Sequence, residues 1–499
     1  MLPAPPECVA AVRANAQALR SVKTPLLDST LADWRRRTRV AVVGGDDRPI
    51  IVTGHQPAFI HPGVWAKHIM SMRLAHALGG IALNLIVDND APQGTTLVVP
   101  AAEKSRLALR SVRYAALPAG LAYEQLARLT PEEVARFDRA IRDALGDRYG
   151  TSQMPMFIEA LADGGNIGDG VDQSVAARRA VEARLGVSVD DRRVSRMWWS
   201  PLLLDMLRRA ERFSRSYNAA LAWYRKKFRV RGHQRPIPDL AVRSMEWELP
   251  VWAHRRGEPR RRLFVASRGG SVRLLADREA IGVFAMDDLR AFDELISPLA
   301  GPRSWRLRPR ALTLTIWARL FLADLFIHGI GGAKYDRISD AIIADYYGLA
   351  PPEMACVSAT LLLDLPRSSA TPETVRSLRR SLRDLEWNSH RSLPRGSKLT
   401  EWVDQREQAV RRGTQLRDTD PQNRPARRET FLEIRDLNRR LAAARSNEVA
   451  DRRAELSRAF DDLDQNRIAE GREYFFGLYH RAALEKLMAA LPAEREFRV

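Results

Sequence analysis

Cysteine is almost missing from this chain. Only Cys8 and Cys356 occur, far apart and without metal-ligand or disulfide spacing. A disulfide-stapled secreted fold is therefore excluded, and a reducing, cytoplasmic setting is expected. Long apolar runs are missing too. The most apolar stretch, residues 311–330, is interrupted by Arg319 and Asp324 and is too polar to span a bilayer, so no membrane association is expected. The first twenty residues, MLPAPPECVAAVRANAQALR, lack the basic start and continuous apolar stretch of a signal peptide. The sequence contains no P-loop, GxGxxG, HExxH, zinc finger or RNA-recognition motif, and no serine or cysteine triad.

What is present is the composition of a large globular protein. The 499 residues are 45% hydrophobic, which implies two to four structural units and excludes a disordered chain. The net charge is +19 and the pI about 10.5. Arginines are scattered along the whole chain and most acidic residues have basic neighbours, so nucleic-acid binding is not expected from charge alone. Attraction for an anionic small-molecule substrate follows in either case.

The order of elements predicts an α/β fold. Residues 49–53 (PIIVT) read as a buried strand, 64–78 as a helix, and 82–87 as a second strand. Strand, loop, helix and strand in about 40 residues make a βαβ unit, so the sheet starts parallel. In the helix, Val64, His68, Met72 and Ala75 share one stripe. Residues 131–145 form a helix capped by Thr130, and 246–252 with 262–266 an antiparallel hairpin, followed by a short strand at 272–275. Residues 311–326 read as an apolar helix, 327–334 as a glycine-rich loop, 335–347 as a helix, and 354–364 contain a strand. Residues 429–463 read as one long helix with a break in its register. Such a helix would reach roughly 60 Å and must pack along a partner from its own chain or a second subunit. The expected division is 1–92 as the first part of the α/β core, 93–300 as inserted helices and hairpins, 301–368 as the second part of the core, and 369–499 as a helical coiled-coil arm.

Two polar loops carry the candidate chemistry. The first, residues 53–63, contains Gly54, His55, Gln56, Pro57, His61 and Gly63 between a strand and a helix. Ligands collect at the carboxyl ends of parallel strands. His55 and His61 are candidate acid/base groups, Gly54, Gln56 and Pro57 candidate binding positions, and Lys67 a candidate partner for a phosphate or carboxylate. The second strand ends at Asp88 and Asp90, placed to grip an amine, a ribose hydroxyl or Mg2+. No ligand spacing supports a resident metal, and none is assigned. The second loop holds His328, Gly329, Gly331, Gly332, Lys334, Tyr335 and Asp336. Its glycines suit a backbone cradle for an anion, with His328 as a further catalytic candidate.

These residues resemble a known family. The run Val52-Thr-Gly-His-Gln-Pro57, the helix after it and the strand ending at Asp88 are similar to the first βαβ unit of the bacillithiol-biosynthesis cysteine-adding enzymes (BshC). So are Leu307-Arg-Pro309, the apolar helix, Gly329-Ile-Gly-Gly332 and Tyr335. The resemblance implies a Rossmann-like core related to nucleotidyltransferases and class I synthetases, with a coiled-coil arm used for dimerisation. It implies a ligase-like enzyme that joins cysteine to an amine of an anionic acceptor, with Gly54, Gln56, Pro57, Asp88, Gly331, Gly332 and Tyr335 lining the site. ATP or ADP with Mg2+ is the cofactor expectation that goes with such a core. The chain departs from the family at His55, where glutamine is usual, and at residues 88–91, where the family carries a histidine. The His-Gln-Pro segment is also similar to WbqC-like proteins. Two alternatives stand beside the ligase reading: a nucleotidyltransferase, and a non-catalytic basic scaffold that binds RNA.

Overall fold

The computed structural model describes all residues except 46, 58, 93–94, 104–105, 164–167, 231–236, 298–300, 302, 389–390, 392, 394–398 and 499. The apolar β-branched run after Pro49 does form a strand, and it sits at the centre of a parallel sheet. The five strands are β1 (Ile50–His55), β2 (Ile81–Ile86), β3 (Asp190–Arg193), β4 (Leu325–His328) and β5 (Met354–Cys356). Their order is β5-β4-β1-β2-β3, with every neighbouring pair parallel. The chain starts in the middle, builds outward to β3, then returns to build β4 and β5 on the other side. The direction of winding thus reverses between β1 and β4. In open α/β sheets that reversal leaves a crevice beyond the carboxyl ends of the two strands, where ligands bind.

Both faces of the sheet are covered, which explains why the strands read as continuous apolar runs. Ile50, Val52, Leu83, Leu85 and Phe326 enter one core. Ile51, Leu325, Ile327 and Ala355 enter the other, against Ala66, Met70 and Leu74 of the helix Pro62–Ala77. Each fully buried aliphatic side chain contributes about 1.5–3 kcal/mol.

One expected element needs correction. The apolar helix predicted to run to residue 326 ends much earlier. It spans Ala311–Trp317, loosens into a π turn over Ala318–Leu322, and gives way to β4. Asp324 is the reason. Its buried carboxylate receives Arg35 and Arg39, and its own N–H donates to the carbonyl of Ile50, so the chain is drawn into the sheet. The glycine-rich stretch then coils into a short helix, Ile330–Tyr335, instead of an open loop.

The hairpin formed by Glu246–His254 and Arg261–Arg268 is antiparallel as expected, and Ser271–Ala276 is the predicted third strand. Glu279–Ala285, Arg306–Pro309 and the short strand Val242–Arg243 complete that six-stranded sheet. The Thr130 cap and the helix Pro131–Leu145 also match, with a capping box through Glu133.

The chain divides into two compact units: Met1–Ala101, Leu109–Leu361 and Arg472–Val499 in one, Ala102–Ala108 and Leu362–Gly471 in the other. The second unit is helical. The long helix read over 429–463 is two helices, Arg424–Ala444 and Ser446–Ala469, broken at Arg445 (φ −115°, ψ 27°) where the apolar register slips. Arg424–Ala444 packs on Thr400–Thr419, and Ser446–Ala469 on Pro372–Trp387, so each finds a partner within the chain. Among the described residues, no helix is long and apolar enough to cross a membrane.

Candidate functional site

The two polar loops meet at one rim of the parallel sheet. Val52 lies beside Phe326 and Thr53 beside Ile327 in the register of β1 and β4, so His55 and His328 close neighbouring strands. Side chains alternate between the faces of a strand. His55 therefore follows Ile51 toward the helix Pro62–Ala77, and His328 follows Phe326 to the opposite face. The His328 ring packs on Phe326 with centroids 4.4 Å apart. The loops share a rim, but their two imidazoles serve different sides of it.

On the helix side, the deciding feature is Lys67. The His55 carbonyl accepts the N–H of Val87, so it points toward β2. Carbonyls alternate along a strand, so the Gly54 carbonyl points the other way, toward β4. There β4 has ended, and the Lys67 ammonium donates to that carbonyl at 2.7 Å. Lys67 is 4% exposed, and no carboxylate among the described residues pairs with it. Burial alone lowers its pKa from 10.5 to about 8. A buried cation with a single neutral partner thus stands at the point where the sheet reverses direction. Gly63 begins the same helix under the loop after β5. A Cβ there would come within 2.8 Å of the Ala359 carbonyl, so only glycine fits.

The other residues of the first loop are held as follows. Burial and the nearby Lys67 push the His55 imidazole down to about 3, so it is neutral. Its Nδ1 lies 3.1 Å from the Gln56 carbonyl, which can only accept, so Nδ1 carries the proton and Nε2 is bare. Gln56 donates its amide to Asp90, whose other oxygen takes Arg260 at 2.6 Å. His61 is the N-cap of the helix, its Nδ1 accepting from the Gly63 N–H at 3.1 Å. Asp88 is fully buried and receives Arg193 Nε at 2.6 Å, Ser195 N–H at 2.8 Å and Ser195 Oγ at 2.5 Å. It fastens β2 to β3 and the segment after it, with both of its oxygens engaged. Pro57 lines the same cavity as His55 and Gln56, and Ala58 lies outside the described residues.

On the opposite face, His328 Nε2 meets Asp336 at 3.0 Å, and Arg319 donates to the same carboxylate oxygen at 2.7 Å. Burial would raise the Asp336 pKa, but His328 and Arg319 outweigh it and hold the carboxyl well below its usual range. Gly332 sits against the His328 ring, where a Cβ would come within 2.8 Å of Nδ1. Gly329, Gly331 and Lys334 have no such crowding or burial, and Lys334 is exposed. Tyr335 stacks toward Tyr224, with centroids 6.0 Å apart.

Sequence reasoning passed over three polar residues on the helix side: His68, Asn84 and Glu182. All are buried. The available signal was a histidine on the apolar stripe of a helix and an asparagine inside a buried strand, each a polar group that burial makes costly unless it is used. No family model matches the chain, and no curated protein matches it.

Proposed function

We propose that this chain is a group-transfer enzyme of the ligase type, acting on an anionic small molecule held at the rim between β1 and β4. One observation carries the reading: Lys67 is a buried ammonium without a carboxylate, placed at the reversal point of the sheet. A cation in that position costs stability unless a ligand supplies the missing negative charge. The joined group is an amino acid, cysteine by the resemblance to BshC, and the acceptor is an amine on the anionic molecule. ATP or ADP with Mg2+ belongs to this reading as the source of activation. In this scheme Lys67, positioned by the Gly54 carbonyl, holds the anion, and the Gln56–Asp90–Arg260 chain keeps the first loop in shape. His55, neutral and with Nε2 bare, accepts a hydrogen bond from the substrate. Asp88 has a structural role.

Thermal-shift and calorimetric titration with malate, inorganic pyrophosphate and Mg2+-ATP test the reading. At least one anion should bind the wild type and bind Lys67→Met roughly tenfold or more weakly. Absence of binding by all three overturns it. Turnover of ATP with release of pyrophosphate would instead support nucleotidyl transfer on the same core.

A second reading concerns the helical unit. Arg417, Arg424, Arg427 and Arg428 line an open cleft of about 660 Å3 with Phe431, which is 60% exposed. Exposed arginines beside an aromatic ring suit a single-stranded nucleic acid. RNA affinity that falls steeply with added salt supports this role, and no binding at low salt removes it.

A further inference from the structure

Beside His55, on the β2 side, lies a small cavity of about 20 Å3 lined by His55, His68, Asn84, Ser174, Arg178 and the ring of Phe475, among others. That is room for one water-sized group. Two polar atoms of its walls are buried and have no partner among the described residues: His68 Nε2 and Asn84 Oδ1. His68 is 1% and Asn84 1% exposed.

The hydrogen-bonding character of each wall atom follows from its other contacts. His68 Nδ1 lies 2.7 Å from Glu182 Oε1. Glu182 is ionised: burial opposes that, but Arg178 and His68 lower its pKa. A carboxylate can only accept, so Nδ1 carries the proton, and in the neutral ring Nε2 presents a lone pair. Arg178 Nη1 also lies 3.2 Å from Nδ1 and could donate to it in the other tautomer; the shorter 2.7 Å contact to the carboxylate oxygen, which can only accept, favours the proton on Nδ1. Asn84 spends its amide N–H on Asp191 at 2.8 Å, which leaves Oδ1 as an acceptor. His55 Nε2 is bare for the reason given above. Three acceptors therefore surround one small space.

Glu182 and Asp191 share the buried Arg178, two carboxylates to one guanidinium. Arg179 approaches Asp191 only at 3.8 Å and is 61% exposed. An acceptor-lined cavity fits a small cation that has several N–H donors.

We infer that this cavity is the seat of a primary amine, whose N–H groups donate to His68 Nε2, Asn84 Oδ1 and His55 Nε2. The inference rests on the reading of the chain as a group-transfer enzyme and names where its amine binds. His68, oriented through Nδ1 by Glu182, is the atom pair's natural proton acceptor: R–NH3+ gives one proton to Nε2 and becomes R–NH2 with a free electron pair. Lys67 acts on His55 electrostatically, so it opposes a lone cation. The ligand that satisfies both is one molecule carrying an anionic group for Lys67 and an amine for this cavity.

Full-length protein labelled with 15N-histidine tests the inference by titration with methylammonium, tetramethylammonium and potassium chlorides at constant ionic strength. The titration is run above the pKa of about 8 of Lys67, where its opposing charge is mostly gone. Spectra of His55→Gln and His68→Gln assign the two rings. Methylammonium alone should shift both Nε2 resonances saturably, and Asn84→Leu should weaken that response roughly tenfold. Equal responses to tetramethylammonium or potassium, or no saturable shift, overturn the proposal. The contrast between cations in the wild type stands even if Asn84→Leu does not fold. Loss of amine binding with intact anion binding refutes this site alone, whereas loss of anion binding refutes the reading beneath it.

Discussion

The two ends of the β1–β4 pair treat buried charge in opposite ways. At the amino end, Asp324 is met by Arg35 at 2.7 Å, Arg39 at 2.9 Å and the Ile50 N–H at 2.8 Å. At the carboxyl end, Lys67 meets one carbonyl, and His68 and Asn84 each keep an unpaired atom. Burying charge is tolerable when the protein answers it and costly when it does not. The amino end is thus built for stability, and the carboxyl end leaves buried polar groups unanswered, which the proposed anion and amine would satisfy. Removing the answered charge breaks this contrast most violently. Asp324→Ala leaves two buried guanidinium groups without their carboxylate and should destabilise the chain by about 3–5 kcal/mol, read from urea unfolding. A loss below about 1 kcal/mol would show that the amino end is not the anchor described here.

The converse change sharpens it. A pKa lowered from 10.5 to about 8 corresponds to about 3 kcal/mol held against the fold at neutral pH. Lys67→Met keeps the length of the side chain and removes the charge, so it should stabilise the unliganded protein, by about 1–3 kcal/mol, while anion binding is lost. Stabilisation together with undiminished binding would detach Lys67 from the site.

The same group sets a pH signature. The unfolded chain keeps the lysine proton up to about 10.5, and the folded chain releases it near 8. Between these values the unfolded state binds more protons, so folding stability contributed by Lys67 rises with pH across that window. The difference between wild type and Lys67→Met in unfolding free energy should shrink steadily from pH 8 toward 10.5. A constant difference would mean that the ammonium is not desolvated.

Much of the frame is legible in the sequence. The run from residue 49 to 92 shows strand, breaker, helix and strand because each carries its own period and its own punctuation. β4 was not legible. Leu325-Phe-Ile-His follows an apolar helix with no glycine or proline between them, and the turn is made by Asp324 reaching Arg35 and Arg39, nearly three hundred residues earlier. The positions of the two loops could be read, but not the faces that their histidines take. A residue read as loop has no assigned face, and β1 runs on to His55, past the expected stop at residue 53. His68 and Asn84 could not be placed at one cavity from sequence, because the face that Asn84 takes is fixed only when the helix Pro62–Ala77 packs on β2.

The smallest effect separates a cap from a catalyst at the same rim. His61 was a candidate acid/base group, yet its Nδ1 accepts from Gly63 and closes the first turn of the helix that carries Lys67 and His68. That bond needs the neutral ring. Burial lowers the His61 pKa below 6.5, with Glu473 opposing. The stability it gives is therefore complete above pH 6.5 and is lost as the pH falls through the lower, folded-state pKa. His61→Ala should cost about 1 kcal/mol, and His61→Asn, a good N-cap, should restore most of it. If His61 is a cap and no more, His61→Asn binds anions and methylammonium as the wild type does. If His61→Asn is as stable as the wild type but has lost binding, then the imidazole itself touches the ligand, and the unanswered end of the sheet extends one residue further than Lys67, His68 and Asn84.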